Sequence, residues 1–208
     1  MVEILGPPPP RPPNPLYHDL EAGKQLFRIF DPTSYGATSV SFRANGPRAR
    51  FDHHHAAPDG LPTNNATRAI IYAGFTLSCC LVEYFGDVGS IIFGECHIAG
   101  PRLLHGVHLL DLRDNGAMRA GSVAALAKTA DRPLSQSWSR YFYEHSVTYP
   151  DIDGIIFYNA HNDEDAVALY ERCADALVCD PNDDMRLDDL RLRPAILEAA
   201  IQNNLGVP

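Results

Sequence analysis

The hydrophobic and polar positions of this chain switch repeatedly between a period of two and a helical period. Gln25-Leu-Phe-Arg-Ile-Phe-Asp-Pro32 alternates along its length and predicts a strand that Pro32 stops. Arg68-Ala-Ile-Ile-Tyr-Ala73 is a short continuous apolar run, the pattern of a buried strand. Leu77, Cys80, Leu81 and Tyr84 then recur at helical spacing behind Thr76, a suitable N-cap, and Gly86 terminates the stretch. Further strands are predicted at 90–98 and 107–112, and Asp153-Gly-Ile-Ile-Phe-Tyr158 is the strongest of the late ones. Ser122 is expected to cap a short Ala-rich helix reaching Thr129. Ser135 is expected to start another, carrying Trp138, Tyr141 and Phe142 on its apolar side. After the turn Asn159-Ala-His-Asn162, residues 164–177 read as an amphipathic helix. Pro194 fits the first turn of a terminal helix that runs to about Asn203. Strands and helices thus alternate irregularly, which favours a mixed α+β or α/β domain over an all-helical one.

Two stretches fall outside this rhythm. Residues 6–15, GPPPPRPPNP, lack donors at seven positions and have their φ angles fixed, so they predict an extended polyproline arm. A stiff leader lying on the domain is the preferred reading, ahead of a docking ligand for an aromatic groove. Residues 33–67 are rich in Gly, Pro, Asn, Asp and His and carry little periodicity. A connection of that length implies a binding loop or structure of its own. The 208 residues divide into a proline-rich N-terminal arm, 1–20, and one domain, 21–208.

Charge narrows the partners. Seventeen basic against 26 acidic residues give a net charge of -9. A surface of that sign repels a phosphate backbone and lacks the basic stripe of a nucleic-acid binder, while leaving room for a local pocket that takes a small anion. The five cysteines are odd in number and show no CxxC spacing, so they read as neutral thiols in a reducing compartment. No basic n-region precedes an apolar stretch, and no apolar run reaches membrane-spanning length. The expectation is a soluble cytoplasmic protein with neither membrane nor nucleic acid as partner; self-association into a homo-oligomer stays open.

The candidate chemistry is scattered. Arg28 lies within the first strand, Glu83 on the helix after the second, and Tyr158–Asn162 in the turn after the late strand. A fourth feature is the loop Gly46-Pro-Arg-Ala-Arg-Phe-Asp52. Singly, each has an ordinary explanation: a snorkelling or paired arginine, a solvated glutamate, the loop charges Arg48 and Arg50. The run Asp52-His-His-His55 invites a metal, with His53 and His55 converging on an extended backbone and Cys96, His97 or Asp59 completing the set. Adjacent histidines point in different directions, however, and no HExxH or paired-cysteine motif accompanies them, so surface-loop histidines are the default and no metal is expected. Cys79 or Cys80 with a histidine would be a nucleophile reading.

Taken in order, FRIFDP, GPRARFD, AIIYAGFTLSCCLVEYFGD and DGIIFYNAHN resemble the motifs of RES-domain proteins, a family named for an arginine, a glutamate and a serine. The resemblance covers the chain from about Phe27 to Leu177. It implies a single α+β domain similar to the ADP-ribosyltransferase fold, with mixed sheets flanked by helices. It also implies a toxin-like enzyme that cleaves the nicotinamide–ribose bond of NAD, as an NAD phosphorylase or glycohydrolase. NAD would be the substrate and inorganic phosphate or water the acceptor, with no further cofactor. Family members are often neutralised by a small helix-turn-helix antitoxin, which becomes an expected partner.

Carried over by residue, the resemblance makes Glu83 and Arg28 catalytic. Arg50 matches the arginine of the loop motif, with Arg48 close enough to compete, and Tyr72 matches the tyrosine ending the second strand. The family serine falls at Asn159, or at Tyr158 after a shift of one residue, and neither is serine. A carboxylate at Glu83 would stabilise an oxocarbenium-like ribose, and Arg28 and Arg50 would neutralise pyrophosphate or phosphate. Tyr72 would stack on nicotinamide or bond a phosphate, and Asn159 would hold a ribose hydroxyl or an amide. The missing serine keeps a catalytically weakened NAD-binding or regulatory protein as an alternative. A metal-dependent hydrolase built on the His53–His55 loop is a further one.

Overall fold

Three of the apolar runs become strands of one sheet, buried on both faces. The structure is a computed structural model that describes residues 3–208. In chain order its strands are β1 (Leu16–Leu20), β2 (Arg28–Phe30), β3 (Asn45–Gly46), β4 (Thr63–Asn64), β5 (Ile70–Gly74) and β6 (His97–Ala99). There follow β7 (Arg102–Leu103), β8 (Val107–Asp111), β9 (Gly154–Tyr158), β10 (Asp165–Tyr170), β11 (Leu177–Val178) and β12 (Asp184–Arg186). The α-helices are α1 (Leu77–Phe85), α2 (Gly116–Arg119), α3 (Arg132–Glu144) and α4 (Arg193–Asn203). The main sheet runs β1-β8-β9-β10-β5, antiparallel except where β8 and β9 pair in parallel. A second sheet, β12-β6-β2, is bridged to the first where Phe27 pairs with Gly74.

Alternation across the pleat separates two cores. Ile155, Phe157, Ala168 and Tyr170 pack with Trp138 and Phe142 of α3, while Ile156, Val167 and Leu169 pack on the other face with Leu109, Leu20 and Leu177. A third core joins α1 and α4 to the second sheet through Leu81, Phe85, Ile98 and Ile196. The result is the expected α+β domain, several small sheets flanked by helices. Among the described residues no helix is long and apolar enough to cross a membrane.

Helix α1 forms as its sequence predicts: the Thr76 side chain accepts from the Cys79 amide at 2.9 Å. It sits unusually close to β5. A Cβ on Gly74 would lie 2.8 Å from the Cys79 sulfur and 2.9 Å from its Cβ, so only glycine lets the helix approach.

Several expectations are corrected. Residues 164–177 are not a helix; they form β10 followed by a 3-10 turn, Glu171–Ala176. The run Asp165-Ala-Val-Ala-Leu-Tyr170 has reasonable helical propensity, but it is hydrogen-bonded to β9 on one side and β5 on the other. Five consecutive apolar residues suit such a doubly covered strand, and tertiary pairing overrides propensity. Of 90–98 only His97 and Ile98 fall in strand β6, and Ser90 makes a single bridge to Gly206. Helix α3 begins at Arg132 rather than Ser135, because Asp131 caps the Leu134 amide at 3.0 Å and Pro133 occupies the first turn. The Ala-rich segment is a 3-10 helix, Ala124–Lys128, preceded by Val123 instead of a Ser122 cap.

The proline-rich segment lies along the domain. Trp138 Nε1 donates to the Leu5 carbonyl at 2.8 Å, and Arg119 Nε donates to Asn14 O at 2.8 Å. The residues that follow, Leu16–Leu20, form the edge strand of the main sheet.

Candidate functional site

The GPRARFD loop is built around one buried carboxylate. Asp52 is fully buried and accepts both Nη2 contacts of Arg43 at 2.8 Å, the Tyr72 hydroxyl at 2.9 Å, and the amides of Arg48 and Ala49 at 2.5 and 3.0 Å. The Tyr72 hydroxyl in turn accepts from the Phe51 amide at 2.9 Å. Helix α3 grips the same loop: Gln136 Nε2 donates to Ala49 O and Ser139 Oγ to Phe51 O. With so many backbone groups satisfied, the loop is a fixed element of the domain.

This anchoring places the side chain of Arg50 in a cleft of about 280 Å³. The cleft is lined by Arg28 and Ile29 of β2, Tyr72 to Gly74 of β5, and Cys79, Cys80, Glu83 and Tyr84 of α1. Phe157 of β9 and Ala166 and Val167 of β10 form its apolar wall, and Arg132 at the start of α3 closes it. Four residues expected from the sequence, Arg28, Arg50, Tyr72 and Glu83, are therefore brought together from four separate segments. Three guanidinium groups face one carboxylate, a local positive balance within a chain of net charge -9.

Each polar group has a defined state. Arg28 Nη1 donates to the carbonyls of Thr38 and Ser41 at 2.9 and 2.8 Å. Burial, and then the charge of Arg43, pulls the Arg28 pKa down to about 10. Burial, and then the charge of Arg132, lowers that of Arg50, whose Nε donates to Thr129 O at 3.4 Å. The Tyr72 hydroxyl is raised well above the usual phenol value by burial and by Asp52, so it stays protonated. Because that hydroxyl both donates to and accepts from the loop, it is the Tyr72 ring that remains for a ligand. Glu83 is exposed on α1 and accepts from the Ala160 amide at 3.2 Å.

Other expected residues lie elsewhere. Arg48 is turned out of the cleft: its Nε donates to Asn45 Oδ1 at 2.8 Å and its guanidinium lies over the Tyr35 ring. Tyr158 follows Phe157 on the strand and so faces away from it; its hydroxyl donates to Asp114 at 3.0 Å. Asn159 is fully buried and does not line the cleft. Its Oδ1 accepts from the amides of His161 and Asn162, and its Nδ2 donates to Asn162 Oδ1 at 2.6 Å and Cys79 Sγ at 3.3 Å. The amide is spent on closing the turn that presents the Ala160 N–H to Glu83.

The histidine run is not a surface loop. His53 and His54 are fully buried, and only His55 is exposed. Their side chains diverge: His53 Nε2 meets Glu171 at 2.9 Å, His54 Nε2 the Arg43 carbonyl at 3.1 Å, and His55 Nε2 Glu144 at 3.2 Å. Among the described residues no group of three or more His, Cys, Asp or Glu could hold a metal ion. The thiols are equally committed. Cys79 Sγ donates to Asp165 O and Cys80 Sγ to Phe27 O, and burial raises the Cys79 pKa to about 12 and that of Cys80 further. Protonated thiols without a histidine partner are poor nucleophiles, which removes that reading.

Sequence reasoning missed Arg132, Tyr84 and Phe157 in the cleft and Asp52 beneath it. Asp131-Arg132-Pro133 carries a helix-start signal, a capping Asp with Pro in the first turn, that would have set Arg132 at the N-terminus of α3. The other three carry no local signal.

Among curated proteins, none matches this chain. Among solved structures, a chain of the M. tuberculosis MbcT–MbcA toxin–antitoxin complex superposes with a TM-score of 0.45 at 10% sequence identity. The superposition covers 80% of this chain and 82% of that one. The family model described as the RES domain matches residues 25–189, most of the chain and every segment that contributes to the cleft, and the protein belongs to the RES-domain family.

Proposed function

We propose that the protein binds NAD in this cleft and breaks its nicotinamide–ribose bond, passing the ADP-ribosyl group to inorganic phosphate or water. The observation that carries the reading is the convergence of Arg28, Arg50, Tyr72 and Glu83 on one cleft in a member of the RES family. The C1″–N bond breaks with its electron pair going to the pyridinium nitrogen, which leaves as neutral nicotinamide. The ribose becomes oxocarbenium-like, and the Glu83 carboxylate stabilises that charge or grips a ribose hydroxyl. Phosphate attack at C1″ gives ADP-ribose 1″-phosphate; water attack gives ADP-ribose and a proton. Arg28 and Arg50 offset the phosphate charges, and the Tyr72 ring and apolar wall shield the reacting bond from bulk water. Asn159 acts through the turn that holds Glu83 rather than on substrate. No metal is assigned a role. A toxin activity restrained by a helix-turn-helix antitoxin belongs to the same reading.

The test is incubation of the purified protein with NAD, with and without phosphate, followed by product mass. Glu83→Ala lowers nicotinamide release by about 10²–10³-fold, the usual loss when a charge-stabilising group is removed, and leaves the fold intact. NAD binding with no release by the wild type would make the chain a binding protein. Equal rates for wild type and Glu83→Ala would sink the assignment of Glu83.

A further inference from the structure

Arg132 lines the cleft with its charge unspent. Among the described residues its guanidinium makes no hydrogen bond or ion pair. Its Nη1 is buried with no partner among the described residues, although the side chain lines the same cleft as Arg50. A buried N–H left unsatisfied costs about 1–3 kcal/mol, more when the group is charged, so native structures keep few of them. Arg50 lines the same cleft and, among the described residues, makes a single long hydrogen bond, to Thr129 O. Two like charges thus line one cleft on rigid supports, Arg50 on the loop around Asp52 and Arg132 on the capped first turn of α3. Among the described residues neither is neutralised by an ion pair. Burial, and then the charge of Arg132, lowers the pKa of Arg50, as expected for two cations lining one cleft.

We propose that Arg50 and Arg132 form an anion subsite that binds the oxygens of a phosphoryl group between their guanidinium forks. A tetrahedral oxyanion satisfies the orphaned Nη1, relieves the repulsion between the two arginines and accepts planar N–H pairs from both. A phosphoryl group reaches this cleft from two sources, free inorganic phosphate or the pyrophosphate of a dinucleotide. Only the choice between them rests on the NAD reading; the subsite itself does not.

Binding is measured first, by calorimetry on the full chain with inorganic phosphate and inorganic pyrophosphate as probes. Arg132→Gln weakens binding of at least one probe by tenfold or more, and Arg132→Lys, which keeps the charge but loses the fork, falls between. Because the substitution removes a like charge, the ligand-free Arg132→Gln protein melts at the same temperature as wild type or higher. That outcome separates a binding role from a structural one. Turnover then identifies the source. A subsite for the dinucleotide raises KM for NAD in phosphate-free buffer with little change in kcat. A subsite for the attacking anion leaves KM for NAD unchanged and abolishes the phosphate dependence. If Arg132→Gln binds both probes as tightly as wild type, or melts well below it, the subsite is refuted, whatever the protein does to NAD. If the probes bind as described while NAD is left intact, the subsite stands and the NAD reading fails.

Discussion

Replacing Asp52 with Asn keeps its size and removes its charge. Asp52 accepts five hydrogen bonds, two from Arg43, one from the Tyr72 hydroxyl and two from the Arg48 and Ala49 amides. An asparagine has only one acceptor end, so its NH2 must face either Arg43 or the loop amides, donor against donor. Breaking a buried ion pair typically costs about 3–5 kcal/mol. The Arg43 side chain is 29% exposed, so water recovers part of this, and a loss of roughly 2–4 kcal/mol is expected. At about 2–4 °C per kcal/mol for a domain of this size, Tm should fall by about 5–15 °C. Circular dichroism melts of wild type, Asp52→Asn, Arg43→Gln and the double variant measure both the loss and the coupling. Asp188→Asn, which removes an exposed pair with Arg186, serves as the control and should leave Tm unchanged. A shift below about 2 °C for Asp52→Asn, or strict additivity with Arg43→Gln, would refute the view that this carboxylate holds the loop.

Two further outcomes follow from the same geometry. Asn159→Ser restores the residue type of the family name, yet it should lower stability by about 1–3 kcal/mol and leave nicotinamide release no faster, because position 159 closes a turn outside the cleft; a faster enzyme would overturn that placement. Burial lowers the His53 pKa below 6.5, so below that pH the unfolded chain takes up a proton that the folded chain excludes, and stability falls as pH drops from 7 to 5. Glu171 works against burial through its hydrogen bonds from His53, Tyr143 and the Ala69 amide, which hold its pKa at about 2; its contribution is present above the usual glutamate value and lost as pH falls from there toward 2. Urea unfolding across pH should show a flatter slope between 7 and 5 for His53→Gln than for wild type, and identical slopes would discount the buried imidazole.

The sequence by itself determined what depends on neighbours along the chain. The Thr76 cap with its helical apolar spacing fixed α1, the continuous run at 154–158 fixed β9, and Pro194 marked the start of α4. Four motifs in order identified Arg28, Arg50, Tyr72 and Glu83 before any geometry was known, and the fold assembles those four. Only the tertiary structure decided between residues that local sequence leaves equivalent. Arg48 and Arg50 differ by two positions in a loop without periodicity, and hydrogen bonds to a buried Asp52 determine which one enters the cleft. Residues 165–170 became a strand because β5 and β9 are there to pair with, a long-range fact that outweighs local propensity. Asn159 lies two positions after the cleft residue Phe157, yet its buried amide is bonded into the turn at 160–162 and not presented to the cleft, a pairing that local sequence does not reveal. Chemistry was legible wherever it sat in a local motif; which side chains face one another was set by packing between segments distant in the chain.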